Sequence, residues 1–277
     1  MRIARFTIKG GEPQFGVVMG DLDGYGQLSE DATVVALQGD PLFSGVNITD
    51  QVHKFEDVKL LAPVIPRSKV VAVARNYAKH AAELGNEVPA EPLFFIKPNT
   101  AVCGPNDAIQ RPAGVEDLHF EGELAIVIGR ICRDVPEEKV KDVIYGMTVA
   151  NDVTARDLQR SDVQFTRSKG FDTFCPLGPW IETDVEPEQL AAGVRIQTFL
   201  NGDVVQDGST KDLVHDIPKL IAHISSVMTL LPGDVILTGT PWGCGEFMDP
   251  KRSLQHGDVV ECEVEGVGKL TNPVVVV

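Results

Sequence analysis

The chain has 277 residues, of which 43% are hydrophobic and 23% are charged, a composition typical of a globular protein. Its 40 acidic and 25 basic residues give a net charge of −15, which argues against nucleic acid or an anionic membrane surface as the main partner. An anionic substrate therefore needs a local cationic site, because the overall field of the chain repels it.

The five cysteines include no C-x-x-C pair, so neither a disulfide framework nor a zinc ribbon is indicated. Isolated thiols are typical of proteins in a reducing compartment. Neither a secretion signal nor an apolar run of membrane-spanning length is apparent. We therefore expect a cytoplasmic protein that does not enter a membrane.

The first 60 residues have the pattern of a small β-rich unit. The segment RIARFTI alternates, PQFGVVMG follows a Gly-Gly turn, and GDLDGYGQL is dense in turn-forming residues. Pro63 and Pro66 then indicate an extended linker before a buried strand at residues 70–74. We predict a small N-terminal β-rich domain with its linker at residues 1–66 and a larger domain at 67–277.

The larger domain mixes strands with mostly short helices. Helices are predicted at NYAKHAAELG (ending at Gly85), at PEEKVKDVIYG (with Pro136 in its first turn), at TARDLQRSD and at DIPKLIAHISSVMTL. Strands are predicted at PLFFIKP, ELAIVIGR, GMTVAND, GDVILTGTP and GDVVECEVEGVGKLTNPVVVV, and VRIQTFLNGDVVQ predicts a hairpin turning at Asn201-Gly202. A strand-dominated α+β fold fits this order better than a doubly wound sheet.

Three acidic residues stand at the ends of apolar strands. Glu121 and Glu123 are two residues apart in HFEGELAIVIG, so in a strand they project from the same face. Asp152 follows the apolar strand in GMTVANDVTARD, where an ordinary helix N-cap is the plainer alternative. Three converging carboxylates would repel one another unless a divalent cation bound them. The pattern therefore predicts an oxygen-ligand site for Mg²⁺ or Mn²⁺.

The segment RNYAKHAAELG offers a candidate base. His80 and Glu83 are three residues apart on one helical face, where the carboxylate can orient the imidazole, although a surface pair is the commoner explanation of such spacing. Arg75 and Lys97 could supply positive charge for an anionic substrate. Lys169 lies in a loop rich in Phe, Pro and Gly, and the hydroxyl of Thr240 in LTGTP could contact a carboxylate.

These segments together resemble the fumarylacetoacetate hydrolase family, in the family's order from about Val70 to Asn272. The combination of E-x-E, NDVTARD, KGFD and TGTP is highly specific, and the matching segments are ARNYAKHAAELG, PLFFIKP, FEGELAIVIG, GMTVANDVTARDLQ, FTRSKGFDTFCPLGPW, LNGDVVQ, LLPGDVILTGTPWGCG and GDVVECEVEGVGKLTN.

The resemblance implies a mixed β-roll catalytic domain, usually dimeric, with one divalent cation on Glu121, Glu123 and Asp152. It also implies that Lys169 polarises or orients the reacting group and that Gln159 and Thr240 contact substrate. His80 and Glu83 are similar to the base-and-orienter pair of members that break carbon–carbon bonds. The N-terminal unit is short for a true fumarylacetoacetase, and the role of His119, just before E-x-E, stays open.

The favoured hypothesis is divalent-metal-dependent cleavage of a carbon–carbon bond in a small anionic 2-oxo acid, either oxaloacetate decarboxylation or acylpyruvate hydrolysis. Both reactions pass through an enolate that a cation stabilises. The main alternative is isomerisation or hydration of 2-hydroxy-dienoates, which the same triad serves. A silent dicarboxylate-binding protein is a third hypothesis.

Overall fold

The computed structural model describes residues 1–23, 28–83, 85–184 and 187–277. Strands dominate it, and helices are short and scattered among them, so the predicted α+β class is confirmed. The strands are β1 (Arg2–Ile8), β2 (Gln14–Met19), β3 (Thr33–Leu37), β4 (Ile48–Lys54), β5 (Val58–Leu61), β6 (Val70–Ala74), β7 (Leu93–Lys97), β8 (Val102–Cys103), β9 (Ile109–Arg111), β10 (Leu118–His119), β11 (Gly122–Ile128), β12 (Ile144–Asn151), β13 (Thr154–Ala155), β14 (Cys175–Glu182), β15 (Arg195–Leu200), β16 (Asp203–Ser209), β17 (Val235–Leu237), β18 (Val259–Val264) and β19 (Gly268–Val276).

The helices of the described ranges include one of eleven residues and several shorter ones. The α-helices are α1 (Pro41–Ser44), α2 (Ala78–Glu83), α3 (Arg156–Ser161), α4 (Thr166–Lys169), α5 (Pro187–Gly193) and α6 (Ile217–Val227), and 3₁₀ turns lie at Phe55–Asp57, Asn99–Ala101, Glu137–Asp142, Thr210–Asp212 and Gly245–Phe247. Within these ranges, no helix combines the length and apolarity needed to cross a membrane.

A large sheet and a smaller sheet form the scaffold. The large sheet has the order β4-β3-β2-β1-β14-β12-β11-β17-β6-β7, with β5 added to β1 and β8 to β14. The smaller sheet has the order β16-β15-β18-β19-β9. Because β1 pairs with β14, the N-terminal strands continue the sheet that contains β11. The domain boundary near Pro66 stays a prediction.

Strand β11 is buried on both faces, which explains its uninterrupted apolar sequence. Leu124, Ile126 and Ile128 pack into one core cluster, and Ala125 and Val127 pack into another on the opposite face. The strand is therefore a rigid central element, and residues at its start have little freedom to move.

Several predicted elements are present in the structure. Helix α6 begins after Asp216, whose side chain caps Lys219 N, and Pro218 lies in its first turn. Strands β15 and β16 form the hairpin, and Asn201 and Gly202 both have positive φ, as a type I′ turn requires. Helix α2 ends at Glu83, and Leu84 of the predicted helix lies outside the described residues.

Two predictions about local structure are wrong. PEEKVKDVIYG forms only a 3₁₀ turn at Glu137–Asp142, and Ile144 already belongs to β12, because this β-branched residue pairs with Ile128 in the sheet. The residues CPLGPW, which end the predicted loop around Lys169, instead belong to the fully buried strand β14. The strand was not predicted because it contains Pro176 and Pro179, and proline is normally excluded from central strands.

Gly122 fits where no larger residue does. A Cβ atom at this position would lie 2.1 Å from Thr198 Oγ1, far inside contact distance. We expect Gly122→Ala to destabilise the chain by about 1–3 kcal/mol, as measured by urea unfolding, because the start of β11 must shift away from β15. Gly114→Ala is the control, since a Cβ there meets no atom within 4 Å. Equal stability of the two variants would contradict this packing argument.

Candidate active site

A cavity of about 200 Å³ opens at one edge of the large sheet. Strand β11 is antiparallel to β12 and β17, and β17 is parallel to β6, so the start of β11 and the ends of the other three strands meet at this edge. The cavity is lined by side chains from these strand ends and from α2, α3 and α4: Val73, Ala74, Arg75, His80, Asn86, Phe95, Glu121, Glu123, Asp152, Arg156, Gln159, Phe165, Lys169 and Thr240.

The three acidic residues predicted as metal ligands lie together in this cavity. One carboxylate oxygen from each of Glu121, Glu123 and Asp152 lies within 4.8 Å of the other two, and all three residues are buried. Glu121 directly precedes β11 and Glu123 lies inside it, while Asp152 follows β12. The antiparallel pairing of these two strands brings the carboxylates together.

Positive side chains surround two of the three carboxylates. Lys169 Nζ lies 2.7 Å from Glu121 Oε2 and 2.6 Å from Asp152 Oδ2. Arg156 also donates a hydrogen bond to Glu121, and Lys97 Nζ lies 2.5 Å from Asp152 Oδ1. Glu123 differs: its Oε2 accepts a 2.7 Å hydrogen bond from Gly239 N, and no cationic side chain of the described ranges lies within 4.0 Å of it.

The pKa values of the two glutamates are consequently shifted in opposite directions. Burial raises the pKa of Glu123, and the charges of Asp152 and Glu121 raise it further, so that it lies well above its usual value. Burial also opposes ionisation of Glu121, but Lys169 and Arg156 hold its pKa well below the usual value. Glu123 is thus the least compensated carboxylate of the triad, because Lys169 only partly offsets its charge.

This arrangement fits a divalent cation. The three ligand atoms are hard carboxylate oxygens, the type that Mg²⁺ and Mn²⁺ prefer. A dication bound by Glu121, Glu123 and Asp152 would supply the positive charge that Glu123 lacks. The converging carboxylate oxygens and the poorly compensated charge of Glu123 therefore both support the metal site that the sequence predicts.

The His80–Glu83 pair lies on α2 at the rim of the same cavity. His80 Nδ1 is 3.4 Å from Glu83 Oε2, and the Glu83 carboxylate accepts hydrogen bonds from Gly243 N. Burial lowers the pKa of His80, but hydrogen bonds to Cys244 and Glu83 and the charge of Glu121 outweigh burial and raise it to about 9. The imidazole is therefore protonated at neutral pH in the metal-free chain.

Three of the four residues predicted to bind substrate line the cavity. Arg75 has φ of 57°, a left-handed conformation that is uncommon for arginine and often found at functional sites. Gln159 Oε1 accepts a 2.8 Å hydrogen bond from Arg156 Nη1. The Thr240 hydroxyl donates to Gly122 O and accepts from Gln206 Nε2, so the chain itself already fixes its orientation.

Lys97 is placed differently from our expectation. Its side chain is fully buried, it is not among the residues lining the cavity, and its ammonium contacts Asp152. A substrate contact therefore does not follow from this position. Its charge instead balances the carboxylate of Asp152 from within the core.

Sequence reasoning gave no role to Arg156 and Cys244, although both belong to quoted motifs. Arg156 is buried and connects Glu121 to Gln159, and its Nη2 lies 3.4 Å from Cys244 Sγ. The position of Arg156 directly after the NDVTA segment was a signal for its role, because an arginine that becomes buried needs an anionic partner. Nothing in the sequence placed Cys244 beside His80, since 164 residues separate them.

His119 does not line the cavity. It lies on β10, fully buried, with Nε2 2.8 Å from Asp117 Oδ1, and its ligand atoms group with those of Asp117 and Glu246 rather than with the acidic triad. Burial and the nearby Arg156 lower the pKa of His119 to about 4, so the ring is neutral. The structure thus assigns it to the packing behind the site.

Comparisons with known proteins agree on the family. The family described as fumarylacetoacetate (FAA) hydrolase, C-terminal, matches residues 69–275, and the family described as Rv2993c-like, N-terminal, matches residues 1–63. Protein Rv2993c of Mycobacterium tuberculosis is 49% identical over 266 residues, 94% of each chain. The oxaloacetate tautomerase fahd2 of Xenopus laevis is 40% identical over 84% of this chain and 73% of its own.

A solved structure gives the same assignment. The 5-carboxymethyl-2-hydroxymuconate delta-isomerase of Mycobacterium smegmatis superposes with a TM-score of 0.87 at 47% identity and covers 100% of both chains. The family match over most of the chain and these relatives establish that the chain belongs to the fumarylacetoacetate hydrolase family.

Proposed function

We propose that the chain catalyses proton transfer at carbon 3 of a small 2-oxo dicarboxylic acid such as oxaloacetate, interconverting its keto and enol forms. The observation that carries this proposal is the convergence of the oxygens of Glu121, Glu123 and Asp152 beside Lys169 and His80. Relatives named oxaloacetate tautomerase and delta-isomerase support a reaction of this type.

The cation held by Glu121, Glu123 and Asp152, which we propose to be Mg²⁺ or Mn²⁺, would lower the energy of negative charge on the 2-oxo group. Lys169 and Arg156 add fixed positive charge beside the triad. Because these groups are buried and already oriented by hydrogen bonds, they need little rearrangement when the enolate forms.

His80 is the proposed proton carrier. In the ketonisation direction, the 2-hydroxyl of the enol would lose its proton to solvent and the protonated imidazole would donate a proton to carbon 3; in the reverse direction the neutral ring would remove the proton from carbon 3 and the enolate oxygen would take one from solvent. Glu83 holds the ring from Nδ1 and is itself held by Gly243 N. This anchoring keeps the imidazole oriented toward the cavity through both half-reactions.

The cavity favours a short dicarboxylate. Its volume of about 200 Å³ is below the ~300–1,000 Å³ of pockets for drug-sized ligands. Arg75 at its wall supplies a guanidinium for a second carboxylate. A four-carbon acid fits this volume, and oxaloacetate is therefore the first substrate to test.

Carbon–carbon cleavage, the first choice from sequence alone, is the second candidate. Decarboxylation of oxaloacetate produces the same type of enolate, so the same residues could serve it. Hydrolysis of an acylpyruvate additionally needs a base that activates water for attack on the distal carbonyl, a step that tautomerisation does not require. A homodimer, which the family resemblance implies, stays a prediction.

The test is a rate measurement on freshly dissolved oxaloacetate. We expect the chain loaded with Mg²⁺ or Mn²⁺ to accelerate the decay of enol absorbance, and EDTA to remove this activity. His80→Gln is expected to lower the rate by roughly 10²–10⁴-fold, the usual contribution of a general acid–base group. Lys79→Gln on the same helix is the control, because Lys79 contacts the Trp242 ring rather than the cavity.

Product analysis separates the candidates. If pyruvate accumulates in step with the loss of oxaloacetate and enol decay is not accelerated, the activity is decarboxylation and the tautomerase proposal is wrong. Background rates for both reactions in the metal-loaded chain would contradict the shared enolate chemistry.

A further inference from the structure

A second set of metal-binding atoms lies beside the acidic triad. Ligand atoms of His80, Glu83 and Cys244 all lie within 4.8 Å of one another. His80 and Cys244 are buried, and Glu83 is half-buried. These residues come from α2 and from the loop after β17, so the fold rather than a local sequence motif assembles them.

We propose that His80, Glu83 and Cys244 form a zinc-binding site at which Zn²⁺ inhibits the enzyme. The donor set contains one imidazole nitrogen, one carboxylate oxygen and one sulfur, which are the three ligand types that zinc binds in proteins. By contrast, the triad of Glu121, Glu123 and Asp152 offers only hard oxygens. Two sites of different chemical preference thus lie at one cavity.

The spacing of His80 and Glu83 suits tetrahedral zinc. Ligand bonds of about 2.0–2.3 Å place neighbouring ligand atoms roughly 3.3–3.8 Å apart in a tetrahedron. His80 Nδ1 and Glu83 Oε2 are 3.4 Å apart in the metal-free chain, so these two atoms would need little movement. Three protein ligands leave a fourth position for water.

Neighbouring groups hold the ligands in place. Gly243 N donates to both carboxylate oxygens of Glu83, and Arg156 Nη2 lies 3.4 Å from Cys244 Sγ. Zinc binding displaces the proton of the Cys244 thiol and any proton shared by His80 and Glu83 to solvent. The resulting thiolate and carboxylate together neutralise the charge of Zn²⁺.

A further cluster in the described ranges contains a histidine and two carboxylates but no cysteine. In the group of Asp117, His119 and Glu246, Arg160 pairs with both carboxylates and Lys251 Nζ lies 2.7 Å from Glu246 Oε1. These carboxylates already have their counter-charges. The cluster of His80, Glu83 and Cys244 offers a sulfur ligand that the other cluster does not, and it has no lysine or arginine within 4.0 Å of its carboxylate in the described ranges, so it alone carries the zinc proposal.

The proposed inhibition rests on the proposed function of His80, whereas zinc binding does not. Zinc on the imidazole would prevent His80 from carrying a proton, so turnover would stop while the acidic triad kept its own metal. Excess Mg²⁺ should therefore fail to reverse the inhibition, because the two metals occupy different ligands.

The experiment uses the full chain saturated with Mg²⁺. We expect equilibrium dialysis against Zn²⁺ to add about one zinc ion per chain, and Co²⁺ used as a probe to produce a thiolate-to-cobalt charge-transfer band. Cys244→Ser should remove the band and raise the half-inhibitory Zn²⁺ concentration at least about tenfold, relative to that variant's own zinc-free rate. Cys132→Ser is the matched control, because Cys132 lies at a bridge with Leu230, outside these clusters.

Three results would overturn the proposal: a wild-type chain without the cobalt–thiolate band, a band that Cys244→Ser retains, or zinc inhibition that Mg²⁺ reverses. If Cys244→Ser does not fold, the absence of the band from the wild-type chain still overturns the proposal. A chain that binds zinc through Cys244 but has no activity on oxaloacetate would support this site and contradict only the proposed function.

Discussion

Asp152→Asn is expected to lower turnover by ~10³-fold or more and to destabilise the chain at the same time. The loss of activity follows from removing one of three charged oxygens that would hold the cation. The loss of stability follows from Lys97, whose buried ammonium has the Asp152 carboxylate as its ion-pair partner. Leaving such a buried charge unpaired costs about 3–5 kcal/mol.

A double variant separates these two effects. Adding Lys97→Met to Asp152→Asn removes the unpaired ammonium, so we expect most of the lost stability to return. Activity should stay absent, because the metal ligand is still missing. Urea unfolding and oxaloacetate turnover are measured on the wild type, both single variants and the double variant.

The cycle also tests the role that the structure gives Lys97. If Lys97 bound substrate directly, Lys97→Met would lower activity without interacting with Asp152→Asn in stability. Additive losses of stability in the double variant would contradict the charge-balance role.

The scaffold of the site could be predicted because its elements have strong local patterns. The apolar run of β11 and the acidic residues at its start are adjacent in sequence, and the turn at Asn201-Gly202 requires residues that tolerate positive φ. The convergence of Glu121 with Asp152 was inferred from two strand ends, and antiparallel pairing of β11 with β12 produces it.

Features set by long-range contacts escaped prediction. Strand β14 contains two prolines, which disfavour a strand locally. It forms because it pairs with β1 and β12, and these long-range contacts cannot be predicted from local propensity. Nothing in the sequence distinguishes Lys97 from an ordinary exposed lysine. Only the tertiary structure shows that it is fully buried and contacts Asp152. Likewise, Cys244 and His80 meet only in the folded chain.

The two glutamates of the triad should respond oppositely to the same substitution. In the metal-free chain we expect Glu123→Gln to raise Tm by roughly 2–4 °C, the shift that about 1 kcal/mol produces in a large domain. The amide carbonyl can still accept the hydrogen bond from Gly239 N, while the repulsion from Asp152 and Glu121 disappears. The same variant should lose the stabilisation that Mg²⁺ or Mn²⁺ gives the wild type.

The pH dependence follows from the raised pKa of Glu123. A carboxyl whose folded-state pKa exceeds its unfolded value costs nothing below the unfolded pKa and opposes folding increasingly as the pH rises through the folded pKa. The advantage of Glu123→Gln should therefore be small near pH 4 and grow toward pH 8. Thermal unfolding in EDTA across this range measures it.

Glu121→Gln is the matched comparison, since it makes the same chemical change one position before β11. The pKa of Glu121 is held low by Lys169 and Arg156, so its ionised form stabilises the folded chain above the unfolded pKa, and that contribution is lost as the pH falls. Removing this charge leaves the buried Arg156 without its carboxylate partner and leaves Lys169 paired with Asp152 alone, and we expect a loss of about 3–5 kcal/mol at neutral pH. Shifts of the same sign in the two metal-free variants would show that Glu123 is not the least compensated charge, and the electrostatic argument for a dication at this cavity would fail with it.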